Sequence, residues 1–193
     1  AVYLDSDIVI NEIMAANDFT ASDEMGEFDD WIEIYNKGTE SVNLSGLHLS
    51  DDFLELDKYT FPSTILAPDS YRIIWADDDE EEQSNMHATF KLSASGEQLY
   101  LSDSEGNILD AVIFGEQQVD MGYARSPNGT GDFVIQHPTF FFNNDFSSSG
   151  LESFLSDKEL LKTVDLLGRE GALEGFLVDI FYDGTVLKKY IIK

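Results

Sequence analysis

Carboxylates are the reactive group this chain has in abundance. Its 193 residues hold 38 Asp and Glu against 11 Lys and Arg, a formal net charge of −27. The densest run is Asp77-Asp78-Asp79-Glu80-Glu81-Glu82. Calcium takes about six to eight oxygens from clustered acids and carbonyls, which makes Asp77, Asp78 and Asp79 its candidate ligands, with Asp51-Asp52 able to approach from a neighbouring loop. The run lacks the glycine and spacing of an EF-hand loop, and a like-charge run must stay solvated. Diffuse counterion attraction is therefore the simpler reading. Asp103-Ser104-Glu105-Gly106-Asn107 is also rich in oxygen, yet a hairpin turn accounts for every residue in it. Glu12 and Glu33 differ from the rest because each lies inside a strand-like segment. A ligand or cation contact is one role for them. The favoured role is structural: an outward strand carboxylate, or one that binds backbone amides and fixes a loop.

Other chemistries lack their parts. A nucleophilic triad needs Ser, His and an acid in contact. The histidines are His48 in a strand, His87 after the acidic run and His137 before Pro138, and all three read as surface or turn residues. Their dispersal lacks the paired spacing of a zinc site. There is no Gly-x-Ser-x-Gly elbow and no glycine-rich phosphate cradle. No two carboxylates stand out as a glycosidase pair. With no cysteine, disulfides, thiolate metal sites and cysteine nucleophiles are excluded. The acidity argues against nucleic acid, whose phosphates need a basic footprint, and against docking by charge on an anionic membrane. No apolar run reaches the ~18 residues of a membrane-spanning helix. No cofactor is expected beyond the calcium candidate. The chain opens at Ala1-Val2-Tyr3 without Met or signal peptide, which fits a processed or truncated product.

The elements that must position these groups read as strands. In Asp30 to Asn36, DWIEIYN, Ile32 and Ile34 alternate with Trp31, Glu33 and Tyr35. The isoleucines are expected to face the core, with Trp31 and Tyr35 over the outer face and Glu33 between them. Similar runs cover Ile8 to Met14, Asn43 to Ser50, Lys58 to Phe61 and Ser70 to Ala76. Alternation at Ala88, Phe90 and Leu92, then at Leu99 and Leu101, and the runs Ile108 to Phe114 and Phe133 to Ile135 complete the set. About eight strands with turn signals between them and no amphipathic helix imply a β-sandwich or barrel. Asp18 to Asp29 is polar and reads as a loop with at most one helical turn. Phe140-Phe141-Phe142, after Pro138-Thr139, is expected to be buried rather than an exposed patch.

Five segments in order carry a resemblance. NEI (11–13), DWIEIYN (30–36), LSGLHLSD (44–51), FP (61–62) and YRIIWA (71–76) together resemble the lamin tail domain over residues 7–144. That resemblance implies an all-β, immunoglobulin-like β-sandwich of lamin-tail type, a fold that hosts many functions. Charge marks where it ends. Residues 1–156 hold 31 acidic and 5 basic residues, a net of −26, while residues 157–193 hold 7 and 6, a net of −1. The polar, Ser-rich stretch Asn143 to Gly150 between them is of linker type. The chain therefore divides into a sandwich at 1–144, a linker at 145–156 and a small C-terminal β segment at 157–193.

That last segment carries VDLLGRE, GFLVDIFYDG and KKYIIK, with Asp183-Gly184 suited to a type I′ hairpin. It resembles the C-terminal sorting domain of the type IX secretion system of diderm bacteria. The positions carrying that likeness are Asp165, Gly168, Arg169, Gly175, Asp183, Gly184, Lys188 and Lys189. The resemblance implies recognition by the secretion machinery and its sortase-like peptidase, and a secreted or outer-membrane-attached location. Together the two units imply a non-catalytic binding, adhesion or spacer module with an unspecified protein or cell-surface ligand. The competing reading is an accessory domain of a secreted hydrolase, nuclease or phosphatase, whose catalytic part lies outside this chain. An intermediate-filament-like protein would need heptad repeats, and none are present.

Overall fold

A computed structural model describes residues 2–78 and 86–146, and in the tail the strands at 160–165, 175–181 and 186–191. The chain divides into two compact units, residues 1–145 and 146–193. The first contains β1 (Ile8–Met14), β2 (Trp31–Asn36), β3 (Val42–Asn43), β4 (His48–Ser50), β5 (Tyr59–Thr60) and β6 (Ile65–Leu66). It continues through β7 (Tyr71–Ala76), β8 (His87–Ala88), β9 (Glu97–Ser102), β10 (Ile108–Phe114), β11 (Gly122–Ser126) and β12 (Asp132–Gln136). A 3-10 turn at Asn144–Phe146 follows. Among the described residues there is no α-helix, and no helix long and apolar enough to cross a membrane.

Two sheets form the sandwich. One runs β12-β11-β1-β2-β7-β8, antiparallel except for the parallel β7–β8 pair. The other runs β10-β9-β4-β5, and β3 pairs with β6 alongside. Period-two alternation sends Ile10, Ile32, Ile34 and Ile74 into the space between the sheets, where they meet Leu49, Leu99, Leu101 and Val112. Each such fully buried side chain contributes about 1.5–3 kcal/mol by leaving water. β5 is an edge strand, in keeping with Pro62 just beyond it.

The outer face of the large sheet departs from the sequence reading. Every residue of β1 and β2 is buried, those pointing away from the sandwich core included. Trp31 does leave the core side, but it enters a second apolar cluster with Met14, Ala21, Ile73 and Trp75, and Phe140 packs on that cluster. A chain segment therefore covers this face. Phe140 meets Trp31 edge-on at 5.2 Å and Trp75 at 5.7 Å, while Phe141 remains 39% exposed, so burial of the Phe triplet is partial. Gly122–Ser126 is a further strand that the residue pattern does not announce. Its side chains carry no alternation strong enough to betray it, yet it is the strand that stands between β1 and β12 and joins them into one sheet. Conversely, Phe90 and Leu92 are core residues although the strand there is only His87–Ala88.

The second unit is an antiparallel meander of β13 (Leu160–Asp165), β14 (Gly175–Phe181) and β15 (Val186–Ile191). Asp165 ends β13 opposite Leu177, and Gly175 opens β14 opposite Ile191. Lys188 and Lys189 pair with Val178 and Leu177. Gly168, Arg169, Asp183 and Gly184 lie outside the described residues.

Candidate functional site

Glu12 and Glu33 stand directly opposite each other across β1 and β2, just after a register shift between Ile10 and Glu12. A bulge inserts an extra residue and re-aims the side chains that follow. Both carboxyls are fully buried. The Thr139 amide donates to Glu12 Oε1 and Oε2 at 3.2 and 3.1 Å, and Thr139 Oγ1 lies 2.6 Å from Glu12 Oε2. The Phe141 amide donates to Glu33 Oε2 at 2.6 Å, and Asn11 Nδ2 to Glu33 Oε1 at 2.9 Å. These are the backbone-binding carboxylates that the sequence favoured over a ligand site.

What they hold is an unfavourable backbone. Phe140 and Phe141 have φ of 27° and 69°, a region that costs a bulky residue about 1–3 kcal/mol and persists only where surroundings over-determine it. Asn144, inside a stretch read as linker, completes the clasp. It is 1% exposed and donates through Nδ2 to the Asn11 and Arg125 carbonyls, at 3.0 and 2.9 Å. Burial pushes the Glu12 carboxyl up to about 7, outweighing the pull of Thr139 and Phe140. Glu33 is driven well above the usual carboxylate range, first by burial and then by the charge of Glu12. A protonated Glu12 also makes sense of Thr139, whose hydroxyl sits 2.8 Å from Asn144 Oδ1 and can then pass its own hydrogen there.

Gly122 makes room for this carboxyl. A Cβ at position 122 would come within van der Waals overlap of Glu12, nearer to Oε1 than any contact atoms tolerate. Gly122→Ala should therefore lower stability in urea titrations by about 2 kcal/mol, the scale of overpacking, with Phe140 released from the tryptophans. An unchanged unfolding midpoint would show that Glu12 can move aside freely.

A second cluster lies in the 18–29 loop and at β7–β8. His87, read as a surface or turn residue, is 2% exposed; that expectation is corrected. Parallel pairing of Trp75 with His87 sets its ring beside Asp77, whose Oδ2 is 2.5 Å from Nδ1. His87 Nε2 lies 3.4 Å from Glu24 Oε2. The loop has no helical turn and is shaped by Asp23, whose Oδ1 accepts the Met25 and Glu27 amides at 2.9 and 2.8 Å. Of the calcium candidates, Asp77 is buried against His87, Asp78 is exposed and Asp79 is outside the described residues. Asp51 is tied to Lys58 at 2.7 Å, and Asp52 Oδ1 accepts the Leu54 amide. Asp103 closes its own turn through Glu105 and Asn107, as the sequence implied. Among the other histidines, His48 contacts Thr60 Oγ1 at 2.9 Å and His137 is exposed.

The family model of the lamin tail domain matches residues 3–116, more than half of the chain. The chain belongs to the lamin tail domain family. No curated protein matches it. The lamin tail domain here is an immunoglobulin-like β-sandwich, and the matched stretch contains both sheets as far as β10. The match ends before β11 and β12, although these strands complete the larger sheet, and before the Thr139–Asn144 segment that Glu12 and Glu33 hold. Asp23, Glu24 and His87 lie inside it. No local sequence signal united these three, because Glu24 and His87 are 63 residues apart.

Proposed function

We propose that this lamin tail domain is a non-catalytic binding, adhesion or spacer module of a secreted or cell-surface bacterial protein. One observation carries the first half of this reading: the carboxylate pair that faces across β1 and β2, Glu12 and Glu33, is sealed under Thr139–Phe141 and committed to backbone amides. Paired carboxyls that work as acid and base must reach substrate and, for glycoside chemistry, water. These reach neither. Immunoglobulin-like sandwiches place their variable surface in loops, which suits recognition more than turnover. The second half rests on the likeness of residues 157–193 to a sorting segment, whose three strands form a meander.

Two measurements test it together. Deleting residues 157–193 from the full chain, expressed in a diderm bacterium with type IX machinery, should leave the protein in the periplasm while the full chain reaches the surface. Identical distribution would overturn the sorting role. The purified full chain should leave single-stranded DNA and p-nitrophenyl phosphate unchanged; turnover that follows the protein through purification would favour the hydrolase reading.

A further inference from the structure

We propose that Asp23, Glu24 and His87 form a binding site for a divalent transition-metal ion of the zinc class, with Asp77 orienting the histidine. One carboxylate oxygen from Asp23, one from Glu24 and a ring nitrogen of His87 lie within 4.8 Å of one another. Zinc bonds of about 2.0–2.2 Å in tetrahedral array put neighbouring ligand atoms about 3.4 Å apart. His87 Nε2 and Glu24 Oε2 are separated by 3.4 Å.

The second, independent observation is an orphaned oxygen. Asp23 is only 9% exposed, and its Oδ1 is taken by the Met25 and Glu27 amides, while Oδ2 is buried without a partner. Leaving a buried carboxylate oxygen unmatched costs far more than pairing it, so a buried orphan of this kind calls for a cation. Asp29, which joins Asp23 and Glu27 in an adjoining group of three acids, has a buried, unmatched Oδ2 as well.

The choice of metal follows from the histidine. Metal-bound imidazoles hand their other ring N–H to a carboxylate, which fixes tautomer and ring angle. With Nδ1–H donated to Asp77 Oδ2, a ring that releases its Nε2 proton on binding metal presents that lone pair on the side of Glu24. Calcium makes no use of such a nitrogen, since its ligands are oxygens. Two carboxylates and one oriented imidazole leave a fourth zinc position for water or for a group from a partner.

The test uses the full chain, stripped with chelator and titrated with zinc, calcium or magnesium by calorimetry while histidine ring resonances are followed by NMR. The expected result is one zinc per chain, movement of the His87 signals with His48 and His137 unmoved, and no displacement by excess calcium. His87→Gln should abolish the event. Glu24→Gln, whose side chain is 45% exposed and so is safe for the fold, should weaken it at least about tenfold. Equal zinc affinity in Glu24→Gln and parent, signals moving at His48 or His137 instead, or a response to calcium alone would each overturn the assignment.

Discussion

Stability should fall as pH rises from 5 to 8, opposite to the trend expected of an acidic protein held by ordinary salt bridges. The reason lies in carboxyls whose folded-state pKa is raised. Glu12 titrates near 7 in the fold against 4.5 for the free group, chiefly because it is buried. The native state therefore holds a proton that the unfolded chain has already released, and stability declines wherever the native state binds more protons. Between those pH values this carboxyl alone accounts for about 3 kcal/mol. Asp30, raised to about 6 by burial, acts in the same direction over a lower window, and Glu33, also raised by burial and by the charge of Glu12, adds to it. For a domain of this size the loss corresponds to a midpoint about 10 °C lower at pH 8 than at pH 5. Thermal melts across that range decide it, with Glu12→Gln as the control whose slope should flatten. A midpoint that is level or rises with pH would show that the pair is ionised and compensated in some other way.

Replacing Glu33 by Ala should be the most damaging single change on the outer face, costing about 3 kcal/mol. The substitution strips an acceptor from the Phe141 amide and from Asn11 Nδ2, and unmatched buried donors cost about 1–3 kcal/mol each. The local consequence is specific: without its anchor, the left-handed backbone at Phe140 and Phe141 relaxes and Phe140 leaves Trp31 and Trp75. Tryptophan emission should shift to the red in the folded protein, alongside a lower urea midpoint. Glu33→Gln, which keeps the volume and one acceptor, should cost less than half as much. A Glu33→Ala protein within about 1 kcal/mol of the parent, with unaltered emission, would mean that aromatic packing holds the segment unaided.

Both predictions depend on contacts that the amino-acid order conveys unevenly. Ile32 and Ile34 against Trp31, Glu33 and Tyr35 announce a two-faced strand, because side-chain direction in a strand alternates by covalent geometry. The turn at Asp103 to Asn107 is equally legible, since an Asp side chain meets amides two and four residues on. Glu12 and Glu33 could be suspected of binding backbone, but not of facing each other. Their opposition depends on the β1–β2 register, shifted by one residue near Asn11.

The all-β class and the positions of most long strands therefore follow from local chemistry: residue alternation, β-branched side chains and turn residues. Family membership over residues 3–116 is likewise a property of residue order. Tertiary structure alone decided that the outer face of the large sheet is covered, that Asn144 closes the clasp on Asn11 and Arg125, and that Gly122–Ser126 is a strand. It alone brought His87 and Asp77 to Asp23 and Glu24. The physical reason is the same in each case. These arrangements are set by pairing and burial between residues distant in the chain, where a one-residue change of register would turn every side chain to the opposite face.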